Sequence, residues 1–228
     1  SPAGAGAGTQ AKLIAKKYKL FYLDTGKIYR VLAYYKLKNP NNFNISYVKK
    51  KTKNLKLKEL ENKKLLSNLI GLEASKISKN KKIRNFLDKI QIKLANNPPG
   101  NFKGSCLDGR DITYKILPNA DLKFFINAKL KIRAKRRYKE LKELDSRVKY
   151  CEVYKSIKLR DKNDKSRKIS PLRRTKDSMY IDTSNLTINK CFLKIKKIID
   201  KKLNENKTRG VQKKSQKSIH MNESKNKY

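Results

Sequence analysis

The sequence has no tryptophan and contains only one histidine and three cysteines. The scarcity of histidine and of cysteine each argues against a class of chemistry. The cysteines, Cys106, Cys151 and Cys191, are isolated and form no CxxC pair, which argues against a disulfide framework or a zinc site. The single histidine, His220, lies in a polar stretch, so we expect neither a histidine base nor a histidine metal ligand. No apolar run approaches about 18 residues. We therefore expect no membrane partner and a location in the reducing cytoplasm.

Acidic residues are also scarce, since 19 Asp and Glu stand against 60 Lys and Arg and leave a net charge of +41. Such a charge is typical of proteins that bind nucleic acid or anionic membranes through counterion release. A second interpretation is coding bias, because the lysines are spread along the whole chain among many Asn and Ile residues. No basic groove studded with aromatic residues is visible. We favour the second interpretation, and composition alone leaves both open.

The first nine residues are only Ser, Pro, Ala, Gly and Thr, which cannot build a core. Residues 10–18 then show helical periodicity, so the glycines precede a helix N-terminus, whose N–H groups and dipole attract an anion. The phosphate-binding motif G-x-x-x-x-G-K-[ST] has this layout, although Ala7 replaces its lysine and Ser1 its first glycine. A flexible terminus is the alternative. The predicted phosphate loop comprises Ser1, Pro2, Ala3, Gly4, Ala5, Gly6, Ala7, Gly8 and Thr9.

Short apolar runs and helical periodicity alternate along the rest of the chain, which predicts a doubly wound α/β fold with a parallel sheet. Polar residues follow the predicted strands at Asp24, Asp108 and Asp182, where ligands gather in such sheets. A phosphate loop normally follows a buried strand, so we expect that the first strand is missing. The predicted strands are 20–23, 106–107, 122–126 and 179–181, and the predicted helices are 10–18, 27–37, 130–144, 153–159 and 188–203, with two or three more in 65–94.

Three motifs stand in order along the chain: Tyr22-Leu23-Asp24-Thr25-Gly26-Lys27-Ile28-Tyr29-Arg30, then Asp108-Gly109-Arg110-Asp111, then Arg160 to Arg167 with Ser170-Pro171-Leu172. In this order and spacing they resemble the motifs of bacterial cytidylate kinases, which are nucleoside monophosphate kinases with a P-loop fold. The resemblance runs from Ser1 to about Leu203. It implies transfer of the γ-phosphate of ATP to CMP or dCMP with Mg²⁺, in pyrimidine nucleotide metabolism, and we expect a monomer.

The resemblance also implies a division of the chain. A discontinuous core domain would comprise 1–33, 101–146 and 176–204, with a monophosphate-binding insert at 34–100 and a lid at 147–175. Residues 205–228 are polar and Lys-rich without periodicity, so we expect a disordered basic tail. The segment between Leu37 and Leu65 is too short for the full β-meander of the family.

Phosphoryl transfer depends mostly on positioning and on neutralising charge, so its site needs several converging cations and little acid–base chemistry. The resemblance implies that Arg30, Arg110 and Arg167 hold the acceptor phosphate and act as catalytic residues together with Asp108. The planar fork of arginine suits two-point contact with phosphate. The competing interpretation is that these arginines are surface cations.

Selection of cytosine needs an acceptor for its amino group and donors for its ring acceptors. By resemblance Asp111 is the acceptor and Arg84 the donor, while Ser75 supports them. Without the family, Ser75 and Arg84 would be read as ordinary helix-surface residues. The other implied contacts to CMP are Arg160 and Asp164 at the sugar, for which a surface ion pair is the alternative, together with Thr25, Arg30, Arg110 and Arg167.

The resemblance implies that the nine-residue loop binds ATP and that Asp108, through water, and Thr9 hold Mg²⁺. A turn-capping role is the alternative for Asp108. The departures from the family are Ala7 at the loop lysine, Thr113-Tyr114 in place of Gly-Thr, and Asn163 in place of an arginine. We expect another cation to replace the lysine, with Lys12, Arg136 and Arg173 as candidates. The alternative function is a weakened P-loop protein that binds RNA or DNA through its basic surface.

Overall fold

A computed structural model describes the backbone of residues 1–53 and 55–225, with side chains described to residue 208 except at 54 and 207. The chain divides into two compact units, Ser1–Ile188 and a second that begins at Asn189. None of the helices in the described part combines the length and apolar character needed to cross a membrane.

Helices make up most of the described chain, as expected for an α/β protein with short strands. The helices are α1 (Ala7–Tyr18), α2 (Thr25–Lys38), α3 (Ile45–Lys53), α4 (Asn68–Ile77), α5 (Lys81–Asn96), α6 (Leu130–Lys142), α7 (Tyr150–Ser166) and α8 (Ile188–Lys225). The strands are β1 (Phe21–Asp24), β2 (Ser105–Asp108), β3 (Phe124–Asn127) and β4 (Met179–Asp182). Short 3₁₀ turns lie at Pro40–Asn42, Leu57–Glu61 and Lys63–Leu66, and a π turn at Ile112–Ile116.

All four strands form parallel pairs, which confirms the predicted strand direction. β1 pairs with β2 from Phe21 opposite Ser105 to Asp24 opposite Asp108, and β3 pairs with β4. The described residues form two two-stranded sheets rather than one continuous sheet, because β2 and β3 do not pair with each other. Ser1 lies between them: its amino group donates to the Gly109 carbonyl at 3.1 Å, and its hydroxyl accepts from the Ile126 N–H at 3.1 Å.

The main core of the first unit lies where β1 and α2 meet α4 and α5. Leu23, Leu32 and Leu87 are almost inaccessible to solvent there. These side chains come from the apolar runs and helical stripes seen in the sequence, and their burial supplies most of the stabilisation. A second cluster joins α6 to α7 through Ala134, Leu141, Val153 and Ile157. The two clusters fix the elements whose ends carry the polar motifs.

Several predicted boundaries shift by a few residues, and those of α7 and α8 differ most from the prediction. α7 is longer than the predicted 153–159 and continues through the charged run to Ser166, so Arg160 and Asp164 lie on a helix. α8 continues to Lys225, where we expected a disordered tail from 205. Lys, Gln and Glu are good helix formers, and no proline interrupts this stretch, so the helix can continue without an apolar stripe. Residues 226–228 of that tail lie outside the described residues.

Candidate active site

A cavity of about 690 Å³ in the first unit brings the three motifs and the small-residue loop together. We call it the phosphate cavity. Its walls are the loop, the ends of β1 and β2, the first turn of α2, and faces of α4 and α7. The carboxyl ends of the paired strands β1 and β2 therefore face the loop, as the position of ligand sites in parallel sheets predicts.

The loop curls onto the N-terminus of α1 through two glycines in left-handed conformations. Gly4 has φ 73° and Gly6, which caps α1, has φ 91°. Residues other than glycine rarely adopt these φ values. No side chain caps the first turn of α1 and no acidic residue lies in it. The free N–H groups and the dipole of α1 can therefore bind an anion.

Two arginines of α6 bind the loop through its carbonyl groups. Arg133 donates to the Ala3 carbonyl at 3.1 Å and forms a two-point ion pair with Asp161 of α7 at 3.0 and 2.5 Å. Arg136 donates to the Ala5 carbonyl at 3.4 Å. A Cβ on Gly4 would lie 2.9 Å from the carbonyl oxygen of Arg133, so only glycine allows this close approach. The loop is thus held by groups outside the cavity.

Arg30 lines the cavity from α2 and is 8% exposed. Its guanidinium donates to the carbonyls of Leu65 and Ser67, at 2.5 and 3.3 Å. Burial lowers the pKa of Arg30, and the neighbouring Arg160 and Arg137 lower it further. Cations crowd this part of the cavity, which is the environment that a phosphate group would neutralise.

Asp164 of α7 binds three of the predicted arginines. Its carboxylate lies 2.7 Å from Arg110, 3.7 Å from Arg167 and 4.0 Å from Arg160. Burial would raise the pKa of Asp164, but Arg110 and Arg160 outweigh burial and lower it. The carboxylate therefore stays ionised and holds the arginines together at one wall of the cavity.

Asp111 and Arg84, the predicted cytosine-reading residues, bind each other. Their side chains form an ion pair at 2.8 Å, and both are almost fully buried. Arg84 also donates to the Ser78 carbonyl at 2.8 Å, so the surface interpretation of Arg84 is wrong. Ser75 is buried too, at 8% exposed, and lines the cavity, which likewise excludes a helix-surface position. The ion pair presents an acceptor and a donor side by side, as recognition of cytosine requires.

Asp108 lies at the end of β2, next to the loop. Its Oδ2 lies 3.1 Å from the position that a Cβ on Gly8 would take. Burial and the nearby Asp24 carboxylate raise the pKa of Asp108 to about 6. Thr25 is buried, and its hydroxyl donates to the Asp108 carbonyl at 2.9 Å, which connects α2 to β2.

These oxygen donors fit a magnesium ion held partly by water. Asp24, Asp108 and Thr9 line one side of the cavity, and Mg²⁺ prefers one or two carboxylates and keeps several waters. Among the described residues no cluster of three or more His, Cys, Asp or Glu side chains is placed to hold a metal by itself. Carboxylate and hydroxyl oxygens are the ligands that a hydrated hard cation such as Mg²⁺ prefers.

The three candidates for the missing lysine lie in different places. Lys12 lines the cavity, is exposed and lies 5.8 Å from the centre of the Tyr22 ring. Arg136 binds the loop carbonyl and Thr183, while Arg173 lies over the Tyr114 ring at 4.1 Å. Neither Arg136 nor Arg173 lines the cavity. Ser1, the first residue of the predicted loop, bonds to Gly109 and Ile126 and does not line the cavity either.

Sequence reasoning missed two cations of the cavity wall, Lys27 and Arg137. Arg137 donates to the Leu66 carbonyl and to Glu140, so it connects α6 to the turn before α4. Lys27 lies three residues before Arg30 on α2, and this helical spacing is a signal that could have indicated it. In a chain with so many lysines, that signal is weak.

Comparison with known proteins gives the same family from a family model and from individual relatives. Residues 1–201 match the family model "Cytidylate kinase". The cytidylate kinases of Thermosipho melanesiensis and Fusobacterium nucleatum are each 39% identical over 211 residues, covering 88% of this chain and 94% of the relative. That of Mesomycoplasma hyopneumoniae is 34% identical over 218 residues, covering 90% of this chain and 93% of the relative.

Proposed function

The chain belongs to the cytidylate kinase family, and from this premise we propose that it transfers the γ-phosphate of ATP to CMP or dCMP, giving CDP or dCDP. It is accordingly a nucleotide-binding kinase. The observation that supports this reaction is the convergence of Arg30, Arg110, Arg160 and Arg167 on one cavity that faces the small-residue loop. The comparisons give no support to binding of RNA or DNA through the basic surface.

The loop and the start of α1 would bind the phosphates of ATP. Their N–H groups provide donors that are already oriented, and the arginines of α6 keep the loop in its shape. Pro2 to Thr9 line the cavity next to Asp108. Asp108, through water, and Thr9 would hold Mg²⁺, which supplies positive charge to the phosphate oxygens.

The acceptor monophosphate would lie against Arg30, Arg110 and Arg167. These guanidiniums lie on elements distant in sequence, and Asp164 holds two of them together. A bound phosphate offers oxygens to several planar donors at once, which fixes its position for in-line attack. Arg160 and Asp164 would contact the sugar, and Thr25 would support the turn at the end of β1.

Cytosine would be read by Asp111, Arg84 and Ser75. The carboxylate of Asp111 accepts a hydrogen bond from the amino group, and Arg84 donates to the ring acceptors. We further propose that the enzyme is a cytoplasmic monomer acting in pyrimidine nucleotide metabolism. Its high positive charge favours separate molecules over association.

An assay of the full chain tests this function. The purified protein is incubated with ATP, Mg²⁺ and each of CMP, dCMP, UMP and AMP, and ADP production is followed. We expect CMP or dCMP to accelerate ADP production far more than UMP or AMP. Arg110→Met should abolish that acceleration, whereas Arg147→Met, at an exposed arginine paired with Asp145, should leave it unchanged. Equal ADP production with and without CMP would contradict the proposal.

A further inference from the structure

The loop of this chain lacks the side chain that normally brings positive charge to the transferred phosphoryl group. The motif places a lysine there, and Ala7 has only a methyl group. Backbone N–H groups at the start of α1 provide donors but no full charge. Because phosphoryl transfer is catalysed mainly by neutralising charge, another cation of the cavity has to supply it.

The cations that line the phosphate cavity fall into two groups. Each arginine forms at least one ion pair or hydrogen bond with a carboxylate or a backbone carbonyl, although within the described part of the chain the Nε of Arg160 and the Nη2 of Arg167 are buried without a hydrogen-bond partner. The arginines are Arg30 with Leu65 and Ser67, Arg84 with Asp111, Arg110, Arg160 and Arg167 with Asp164, and Arg137 with Leu66 and Glu140. Among the described residues no ion pair or hydrogen bond is found for the ammonium groups of Lys12 and Lys27, although that of Lys12 lies 5.8 Å from the centre of the Tyr22 ring.

Lys27 is the better placed of these two lysines. It is partly buried in the first turn of α2, whereas Lys12 is exposed on α1. Its own N–H is capped by the Asp24 carboxylate at 3.2 Å, which fixes the start of α2 at the end of β1. Lys27 and Arg30 are three residues apart on this helix, so their side chains emerge on neighbouring sides of the cavity.

Lys27 lines the same cavity as residues of both predicted phosphate sites. Burial lowers the pKa of Lys27, Asp24 and Glu61 raise it, and Lys12 and Arg30 lower it further. Its neighbours thus include Lys12 on the helix that follows the loop and Arg30 at the predicted acceptor phosphate. The ammonium group of Lys27 therefore shares one cavity wall with the residues predicted to bind the donor and the acceptor phosphates.

We propose that Lys27 contacts the transferred phosphoryl group and supplies the positive charge for which Ala7 has no side chain. This inference rests on the proposed function. In the step, an oxygen of the CMP phosphate forms a bond to the γ-phosphorus of ATP, while the bond from that phosphorus to the bridging oxygen breaks and ADP leaves with that oxygen. Lys27 exchanges no proton and stabilises the negative charge on the phosphoryl oxygens.

The kinetic test compares Lys27→Met with Lys27→Arg and with Lys16→Met. Lys16 is an exposed lysine of α1 that does not line the cavity, so its variant controls for the loss of one charge. We expect Lys27→Met to lower kcat roughly 10²-fold, as removal of one oriented donor does. We expect Lys27→Arg to recover most of that loss, because it keeps the charge, and Lys16→Met to match the wild type.

A rescue variant separates a catalytic role from a structural one. Ala7→Lys restores the lysine of the motif, and we expect it to raise kcat much more in Lys27→Met than in the wild-type chain. A structural role for Lys27 predicts the same effect of Ala7→Lys in both backgrounds. If CMP drives ADP production in the wild type and Lys27→Met is equally active, the inference is overturned and the proposed function stands.

A binding measurement tests the inference without turnover. Ligand binding raises the unfolding temperature, and only ATP carries a γ-phosphate. We expect Lys27→Met to lose more of the stabilisation by ATP than of the stabilisation by ADP, while Lys16→Met keeps both. Equal stabilisation of wild type and Lys27→Met by ATP would overturn the inference. Absence of CMP-dependent ADP production in the wild type would instead contradict the proposed function.

Discussion

At the scale of single residues, burial distinguishes the charged side chains of the cavity wall from those on the surface, whereas residue type does not. Without the family, Arg84 would be read as an ordinary helix-surface residue, yet it forms a buried ion pair with Asp111 at 2.8 Å. Such a pair gives little net stability, because removing both charges from water costs about as much as their attraction returns. Both residues line the cavity, so removing either charge would change the surface that the cavity presents to a ligand.

Asp111→Asn tests the reading of cytosine. The substitution keeps the shape but turns one acceptor oxygen into an N–H donor, which loses the contact or opposes the cytosine amino group. An unmet polar contact in a closed site costs about 1 to 3 kcal/mol, or roughly 5-fold to 150-fold in discrimination. We expect the ratio of kcat/KM for CMP to that for UMP to fall by this factor, with little change in ATP affinity.

Asp111→Asn also removes the ion-pair partner of Arg84, an effect that has to be separated from the loss of cytosine recognition. Asp111→Asn leaves a buried guanidinium without its carboxylate, so we also expect a less stable protein. The ratio of two substrates does not depend on the amount of folded enzyme, and Asp121→Asn, at an exposed position, provides the matched control. Equal losses for CMP and UMP would show that Asp111 serves the fold or the phosphates.

At the scale of elements, the loop before α1 depends on the approach of α6. Gly4 combines a positive φ of 73° with backbone contact at Arg133, so a side chain there is unfavourable for two reasons. Gly100 has a similar φ of 81°, but a Cβ there would meet only the Phe102 ring at 3.8 Å, an ordinary contact. A side chain at either glycine would strain the backbone, but only a side chain at Gly4 would also clash with the Arg133 backbone.

Gly4→Ala and Gly100→Ala can be compared directly. We expect Gly100→Ala to lower the free energy of unfolding by about 1 kcal/mol, the usual cost of a non-glycine residue in the left-handed region. We expect Gly4→Ala to lower it by about 2 to 4 kcal/mol, because the clash adds to the strain. Urea unfolding measures both values. Equal losses would mean that the loop can move away from α6 at no cost.

Sequence patterns predicted the elements with strong periodicity and missed those determined by distant contacts. The strand predicted at 20–23 and the helix predicted at 10–18 follow from apolar runs and spacing, and both are present, as Phe21–Asp24 and as Ala7–Tyr18, which begins three residues earlier than predicted. The extension of α7 to Ser166 was missed, because its charged residues look solvated until Arg110 and Arg133 are placed beside them. The pairing of strands into two sheets depends on neighbours distant in sequence, which no local pattern records.

Sequence patterns predicted which residues form the candidate site better than they predicted the contacts between those residues. The arginines, Asp111 and the loop gather in one cavity as the motifs implied. The contact of Asp164 with three arginines and the burial of Ser75 could not be read from residue types. Lys27 was missed because one lysine among so many carries no signal in composition. Its place in the cavity wall is visible only in the folded chain.

At the scale of the whole molecule, the net charge of +41 opposes folding, since compaction brings like charges together. Raising the salt concentration from about 0.01 M to about 1 M shortens the Debye length from about 30 Å to about 3 Å. We expect the midpoint of urea unfolding to rise over this range, equally in NaCl and KCl. A fall would show that attractive ion pairs, such as Arg133–Asp161, outweigh the repulsion.

Arg133 connects the loop to a second element as well as holding the loop in place. One guanidinium binds the Ala3 carbonyl and, at the same time, Asp161 on α7, the helix whose other charges reach the predicted sugar and phosphate contacts. The Nε of the same guanidinium donates to the Ala128 carbonyl at 2.8 Å, so it has three separate anchors. The loop before α1 and the helix that carries the predicted sugar contacts therefore share one arginine as a common support.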